Sequence, residues 1–161
     1  MEKASAGDNN LKQAQVVLFP PLVGLTLAVT SIFLHIFFPL NITSATIVII
    51  AGIIILGSGI VLQVICLQVF KKAKTTPLFQ KPTTNILESG PYARSRNPIY
   101  IAVFLQFIGL SFLINTWWLI AALPILYVYL RYGVIAREEQ YLEQKFGEEY
   151  RRYRSNVPRW F

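Results

Sequence analysis

Residues 16–70 read VVLFPPLVGLTLAVTSIFLHIFFPLNITSATIVIIAGIIILGSGIVLQVICLQVF, and this stretch contains no Asp, Glu, Lys or Arg. A soluble domain needs charged side chains to cover its surface, so the stretch favours a lipid environment. Two apolar runs lie within it, at residues 16–38 and 45–70. Each exceeds the ~20 residues that cross the hydrocarbon core of a bilayer. These runs predict two transmembrane helices.

Two further apolar runs follow, at residues 99–114 and 117–136, and only Asn115 and Thr116 separate them. Such a short connection predicts a tight helical hairpin, and Trp117 and Trp118 at its turn fit an aromatic belt at the membrane surface. Hydrophobic residues make up 54% of the 161 residues and charged residues only 14%. The sequence therefore predicts an all-α integral membrane protein of about four transmembrane helices, forming a single domain over residues 1–161.

The positive charges predict the orientation. All 15 Lys and Arg residues lie in residues 1–15, in residues 71–96, or from Arg131 onward. With four crossings these regions share one side, and the positive-inside rule makes that side the cytoplasm. We therefore expect a multi-pass membrane protein whose N- and C-termini are both cytoplasmic. The net charge is +7. We interpret it as a sign that basic side chains contact anionic lipid headgroups, and we expect no nucleic acid partner.

Cys66 is the only cysteine, which excludes a disulfide framework and a CxxC metal site, so we expect no metal. Two polar segments lie on the predicted cytoplasmic side, the loop 71–98 and the tail 137–161. Apolar residues of the tail recur at helical spacing on either side of Gly147. This pattern predicts an amphipathic helix at the membrane interface or packed on the bundle.

The loop ends with Asn97 and Pro98. Proline suits the first turn of the third helix, because an N–H group at that position has no partner within the helix and its absence costs nothing. The free backbone N–H groups of such a helix start can bind a polar ligand. A plain connection with basic membrane anchors would have the same composition, so both interpretations stay open.

Glu138 and Glu139 follow the fourth apolar run directly. Adjacent helical side chains point about 100° apart, so one carboxylate can face inward and bind an ammonium or sulfonium group while the other faces solvent. Solvation of the helix, or a pair with Arg137, explains them equally well. Arg131 either extends to the cytoplasmic surface or lines a cavity that faces the loop.

Residues 90–100, GPYARSRNPIY, and residues 138–159 with the pattern EExxLxxxFGEEYxxY followed by VPR, resemble the two signatures of the isoprenylcysteine carboxyl methyltransferase and phospholipid methyltransferase superfamily. The two motifs occur in the family's order, separated by one helical hairpin, and cover about half of the chain. The resemblance implies a methyltransferase whose methyl donor is S-adenosyl-L-methionine and whose product is S-adenosyl-L-homocysteine.

By position, the resemblance implies a cofactor site closed by the loop and the C-terminal segment. Its residues would be Thr84, Asn85, Ile86, Leu87, Tyr92, Arg96, Asn97, Pro98, Ile99, Tyr100, Glu138 and Glu139. Arg131 and Arg137 are the candidates for substrate contact, because Val134 stands where carboxyl methyltransferases have an arginine. The valine at this position argues against an isoprenylcysteine acceptor. A second departure from the family pattern is Ala102, which replaces the usual glycine of the loop motif. No residue is assigned a catalytic role in proton transfer.

The acceptor is expected to be a lipophilic molecule in the bilayer, with a carboxylate like that of isoprenylcysteine or a head group like that of a phospholipid. Two alternatives remain at this point. One is an NADPH-dependent membrane reductase, since sterol reductases resemble the superfamily in the same C-terminal region. The other is a non-enzymatic four-span protein, although a coupled transporter would need a carboxylate within its spans, and none is present.

Overall fold

The computed structural model describes residues 18–43, 45–74 and 85–161, and every regular element in these ranges is helical. The α-helices are α1 (Pro20–Phe37), α2 (Thr46–Lys72), α3 (Pro98–Ile114), α4 (Trp117–Val128), α5 (Ala136–Phe146) and α6 (Glu148–Asn156). A 3₁₀ turn (Gly90–Ala93) precedes α3, and a π-helical segment (Tyr129–Ile135) joins α4 to α5. The prediction of an all-α integral membrane fold is confirmed.

Three helical stretches are long and apolar enough to cross a bilayer: α1, α2 and the continuous stretch Trp117–Phe146. Helix α3 is apolar but has 17 residues, about 25 Å at a rise of 1.5 Å per residue. It is therefore shorter than the ~30 Å hydrocarbon core of a typical bilayer. Large apolar side chains point outward, such as Ile36 (69% exposed) and Ile47 (71% exposed), as expected of helices surrounded by lipid.

Helix α2 packs along α3, and α1 packs along α4. The α2–α3 contact depends on glycines, because the two backbones approach closely. A Cβ on Gly109 would lie 2.7 Å from the Leu56 Cα, and one on Gly59 would lie 2.9 Å from the Ala102 carbonyl oxygen. Close backbone approach at small residues is the usual way that transmembrane helices associate, since lipid removes the hydrophobic driving force.

The connection between α1 and α2 contacts the turn between α3 and α4. Asn115 adopts a left-handed conformation with φ 59°, and its Oδ1 accepts from the backbone N–H groups of Ile42 (2.9 Å) and Thr43 (2.8 Å). The indole of Trp118 donates to the Phe38 carbonyl at 2.8 Å. Both uncharged connections therefore meet at one end of the bundle, and Trp118 lies there as its sequence position predicted.

The fourth apolar run continues into the C-terminal segment without a break, through a π-helical segment that the sequence did not predict. A π turn contains an extra residue, and each added residue turns the following helix by about 100°. The segment therefore sets which faces of α5 present Glu138 and Glu139. Gly147, with φ 54°, then ends α5 and begins α6, so the predicted tail helix is two helices.

Candidate functional site

The loop before α3 is bound to the last residues of the chain. The Arg96 backbone N–H donates to the Pro158 carbonyl at 2.9 Å. The Arg159 carbonyl accepts from the Ser95 hydroxyl at 3.2 Å and from Asn97 Nδ2 at 3.0 Å. Ser95 and Asn97 are buried. The side chain of Asn97 therefore holds the tail, and residues 62 and 64 positions apart in the chain join the two sequence motifs into one surface.

Glu139 lies between two arginines that come from the two motifs. Arg159 binds the carboxylate through two hydrogen bonds, Nε to Oε1 at 2.9 Å and Nη2 to Oε2 at 2.7 Å. Arg96 Nη1 lies 2.9 Å from Oε1. The Glu139 and Arg96 side chains are only 12% and 9% exposed, so Glu139 does not face solvent, which was one of the positions that the sequence left open. The hydrogen bonds that Arg159 donates to Glu139 raise the pKa of its guanidinium, so this partner stays charged.

Glu138 has a different environment. Its two carboxylate oxygens accept from the Tyr100 hydroxyl at 3.1 and 3.2 Å. Within the described part of the chain, no arginine or lysine forms an ion pair with Glu138. Tyr100 is buried at the start of α3. A half-buried carboxylate with only a neutral partner can bind a cationic ligand, because burial weakens competition from water.

Three tyrosines extend the site toward α6. The Tyr153 hydroxyl donates to the Tyr92 carbonyl at 2.7 Å, and the Tyr150 hydroxyl lies 3.4 Å from Arg96 Nη1. Tyr92 packs edge-on against Phe70, with ring centroids 5.6 Å apart. Its own hydroxyl is buried beside the Cys66 thiol and has no nitrogen or oxygen hydrogen-bond partner among the described residues. Burial raises the pKa of the Tyr92 hydroxyl well above its usual value, so the group stays protonated and can donate to a ligand.

An apolar cavity of about 510 Å³ runs between α1, α2, α3 and α4. Its wall includes Gly24 and Leu25 of α1, Leu56 of α2, and Val103 and Leu110 of α3. The Tyr100 ring lines the cavity near the start of α3, while its hydroxyl contacts Glu138. The cavity and the carboxylate site are therefore adjacent, with Tyr100 belonging to both.

The other predicted site residues are distributed as follows. Pro98 is buried at the start of α3 as predicted, and Ile99 lines the cavity. Ile86 packs against the α6 cluster of Tyr150, Tyr153 and Val157. Asn85 is exposed and Leu87 is partly buried. Thr84 lies outside the described residues.

Of the two arginines predicted for substrate contact, Arg131 lies within the π-helical segment and Arg137 lies at the start of α5. Arg131 is partly buried, with its guanidinium 5.2 Å from the ring centroid of the exposed Tyr132. It does not line the apolar cavity. Arg137 is also partly buried. Their contact with substrate stays a prediction.

Sequence reasoning did not assign Arg159 or Trp160 to the site. The Trp160 ring packs against Phe104 (centroids 6.0 Å apart) and Tyr127 (5.9 Å). The tail thus contacts α3 and α4 as well as the loop. A signal was present, because residues 157–159 belong to the second motif, but nothing in the sequence pairs Arg159 with Glu139.

The fold and the site define a class: a helical membrane protein with a candidate ligand site at one end of the bundle, formed by a loop and a C-terminal tail, beside a cavity between its helices. The family model for phospholipid methyltransferases matches residues 47–149, which is more than half of the chain. The chain belongs to this family. The family that the two sequence motifs resemble is thereby confirmed.

A protein of Haemophilus influenzae described as uncharacterized is 73% identical over 26 residues, which are 16% of this chain and 41% of that protein. The matched segment of the chain thus spans less than half the length of this relative. No solved structure shows a significant match to the chain.

Proposed function

We propose that this protein uses S-adenosyl-L-methionine to methylate a lipophilic acceptor that reaches the site from the bilayer, releasing S-adenosyl-L-homocysteine. The observation that carries the proposal is the position of Tyr100. Its ring lines the apolar cavity and its hydroxyl donates to Glu138 at 3.1 Å. One side chain therefore joins a space suited to a hydrocarbon chain and a carboxylate suited to a cationic ligand.

The described residues fit the proposed methyl donor. S-adenosylmethionine, when bound, supplies a methyl group on a positively charged sulfur. Glu138 would bind its ammonium group through a charge-assisted hydrogen bond. The Tyr92 hydroxyl, which has no nitrogen or oxygen partner among the described residues, would donate a further hydrogen bond, and aromatic faces stabilise a sulfonium cation. The remaining predicted contacts, including Thr84 and Asn85, belong to the same proposal.

Methyl transfer from a sulfonium is an in-line displacement, which depends on alignment more than on proton transfer. The acceptor's lone pair forms the new bond to the methyl carbon while the carbon–sulfur electron pair stays with sulfur. A carboxylate acceptor needs no base, whereas an amine acceptor must also give a proton to water or a base. The loop and the tail, joined by Glu139, Arg96 and Arg159, would position the donor and exclude water.

Orientation forms part of the proposal. We place residues 1–15, 71–98 and 137–161 of this single domain on the cytoplasmic side, where a water-soluble donor is present, with four crossings in total. Support comes from the positive charges, all of which lie in or next to these segments. The contacts of Asn115 with the connection between α1 and α2 also fit, because they join the two uncharged connections at the opposite end.

A reductase is less consistent with the site. Binding the phosphates of NADPH requires free cationic side chains. Arg96, one of the two loop arginines that could serve, forms an ion pair with Glu139 at 2.9 Å.

The test is equilibrium binding of S-adenosylhomocysteine and of NADPH to detergent-purified protein, followed by methyl transfer from a labelled donor to extracted membrane lipids. We expect S-adenosylhomocysteine to bind and the lipid fraction to become labelled. Binding of NADPH alone would overturn the proposal.

A further inference from the structure

Arg131 places a positive charge on the last apolar stretch of the chain, within the π-helical segment (Tyr129–Ile135). It lies about 21 Å along the helix axis from Trp117, the first residue of α4. Taking Trp117 as a member of the aromatic belt at the opposite membrane surface, this distance is shorter than the ~30 Å hydrocarbon core. The backbone of Arg131 therefore lies at hydrocarbon depth, where charged side chains are rare and mark functional positions.

The guanidinium of Arg131 lies at the lipid-facing surface of the bundle. Ile125 (60% exposed), Val128 (55%) and Tyr132 (66%) recur at helical spacing and form an outward stripe on this helix. The guanidinium carbon lies 5.2 Å from the ring centroid of Tyr132, the last member of that stripe. The wall of the apolar cavity does not include Arg131. The charge therefore lies beside the surrounding lipid and not inside the cavity.

The Arg131 guanidinium has no anion among the residues that the structure describes. Its contact there is the cation–π contact with Tyr132, whereas Arg96 and Arg159 both form ion pairs with Glu139. An arginine presents its N–H groups as a planar fork that matches two oxygens of a phosphate. The exposed Tyr132 hydroxyl is a further donor beside this fork. The pair therefore offers several donors and one positive charge to an anion.

The neighbouring helix brings lipid head groups toward Arg131. Helix α3 packs against α4 in the same hairpin and is about 25 Å long. A bilayer accommodates a span shorter than its hydrocarbon core by thinning locally, and basic side chains near the interface extend toward the head groups. The head-group layer beside α3 and α4 is therefore expected to lie nearer to Arg131 than it does in the surrounding membrane.

We infer that Arg131 and Tyr132 bind the phosphate of a phospholipid that lies on the lipid-facing surface of the bundle. This lipid belongs to the surrounding bilayer and is not the methyl acceptor, which is proposed to occupy the cavity. Its phosphate supplies the anion that the charge lacks, and the apolar surroundings strengthen the attraction because water does not screen it. The inference goes beyond the proposed function, since this site requires neither a methyl donor nor methyl transfer.

The simplest other role for Arg131 is to extend past the head groups into water, as long basic side chains do at membrane boundaries. That role does not depend on the chemistry of the head group, and lysine fulfils it as well as arginine. Recognition of a phosphate by the planar fork depends on both. This difference distinguishes the two roles experimentally.

The experiment measures binding of dioleoyl phosphatidylglycerol to the full chain in detergent by native mass spectrometry, without a methyl donor. A glucosyl dioleoylglycerol, with the same acyl chains and an uncharged head group, is the reference lipid. We expect Arg131→Gln to weaken binding of the phospholipid about tenfold and to leave binding of the reference lipid unchanged. Arg131→Lys keeps the charge but loses the fork, so its loss should be intermediate. Tyr132→Leu should weaken phospholipid binding as well.

Arg152→Gln is the matched control, because Arg152 is exposed on α6 and its loss changes the net charge equally. It should keep the wild-type affinity for the phospholipid. Val103→Trp places a large ring in the wall of the cavity, and the effect of Arg131→Gln should persist in that background because the bound lipid is not the acceptor.

Unchanged phospholipid binding by Arg131→Gln would overturn the inference, and so would full binding by Arg131→Lys. Loss of the Arg131 effect in the Val103→Trp background would show that the lipid is the acceptor and would overturn it too. Displacement of the phospholipid by inorganic phosphate would indicate a site for a free ion, with the same consequence. Because no methyl transfer is measured, these outcomes do not depend on the proposed function.

Discussion

Arg159 and Glu139 form a two-bond ion pair, with nitrogen–oxygen distances of 2.9 and 2.7 Å, across the twenty residues that separate them. Arg96, from the loop before α3, binds the same carboxylate. Glu139 therefore connects three parts of the chain that the site requires together. Its neighbour Glu138 contacts Tyr100 instead. Two adjacent carboxylates thus have different partners, two arginines for Glu139 and a neutral tyrosine for Glu138.

Arg159→Gln should release the C-terminal tail from α5. The change removes two charge-assisted hydrogen bonds to a partly buried carboxylate, and we expect a loss of about 1.5–3 kcal/mol in unfolding free energy. Chemical denaturation in detergent measures it. Arg154→Gln is the control, since Arg154 is 46% exposed and pairs with a partly exposed Glu143. An equal loss in both variants would contradict the structural role of the Glu139 pair.

Glu138→Gln should weaken binding of S-adenosylhomocysteine by about ten- to a hundredfold, because one charge-assisted hydrogen bond is worth about 1.5–3 kcal/mol. Isothermal titration calorimetry is the measurement. Glu148→Gln removes an equal charge from an 86% exposed side chain and should leave the affinity unchanged. If the two variants behave alike, Glu138 does not bind the ligand.

Val103→Trp should block the cavity and lower kcat/KM for a lipid acceptor at least tenfold, while the affinity for S-adenosylhomocysteine stays the same. Val103 lines the cavity wall, and the larger ring would fill space that the lipid chain needs. Ile125→Trp adds the same side chain at a 60% exposed, outward position. Normal turnover in the Val103 variant would show that the acceptor does not use this cavity.

Gly59→Ala should destabilise the α2–α3 contact by about 1–3 kcal/mol, since the new Cβ would lie 2.9 Å from the Ala102 carbonyl oxygen. Gly57→Ala, two residues earlier on the same helix, meets nothing within 4 Å and should be neutral or stabilising. Thermal unfolding of the two variants in the same detergent tests this. The reverse order of stability would refute the packing of α2 on α3.

Asn41→Cys and Ser89→Cys should be labelled from opposite sides of the membrane in a protein whose buried Cys66 is changed to alanine. Both positions are exposed and lie in connections at opposite ends of the bundle. A membrane-impermeant thiol reagent applied to intact cells and to inverted vesicles measures the side. Labelling of both from one side would rule out the proposed four crossings.

The helices could be predicted from the sequence because lipid constrains the backbone hydrogen bonds of each segment separately. Every backbone group in a bilayer must find its partner within its own segment, so charge-free runs of sufficient length become helices wherever they occur. Helices α1, α2 and α3 begin and end within a few residues of the apolar runs, and Pro98 begins α3. The motif resemblance likewise predicts that Arg96, Tyr100, Glu138 and Glu139 lie close together, as they do in the structure.

Only the tertiary structure decided which side chains each of the two glutamates contacts. The direction of Glu138 and Glu139 depends on the extra residue of the π-helical segment (Tyr129–Ile135), and hydrophobic periodicity does not reveal such a turn. The pairing of Arg159 with Glu139, and the packing of Trp160 against Phe104, depend on how distant segments pack. Sequence determines the elements here because their stability is local. Side-chain partners come from contacts between segments that no local pattern records.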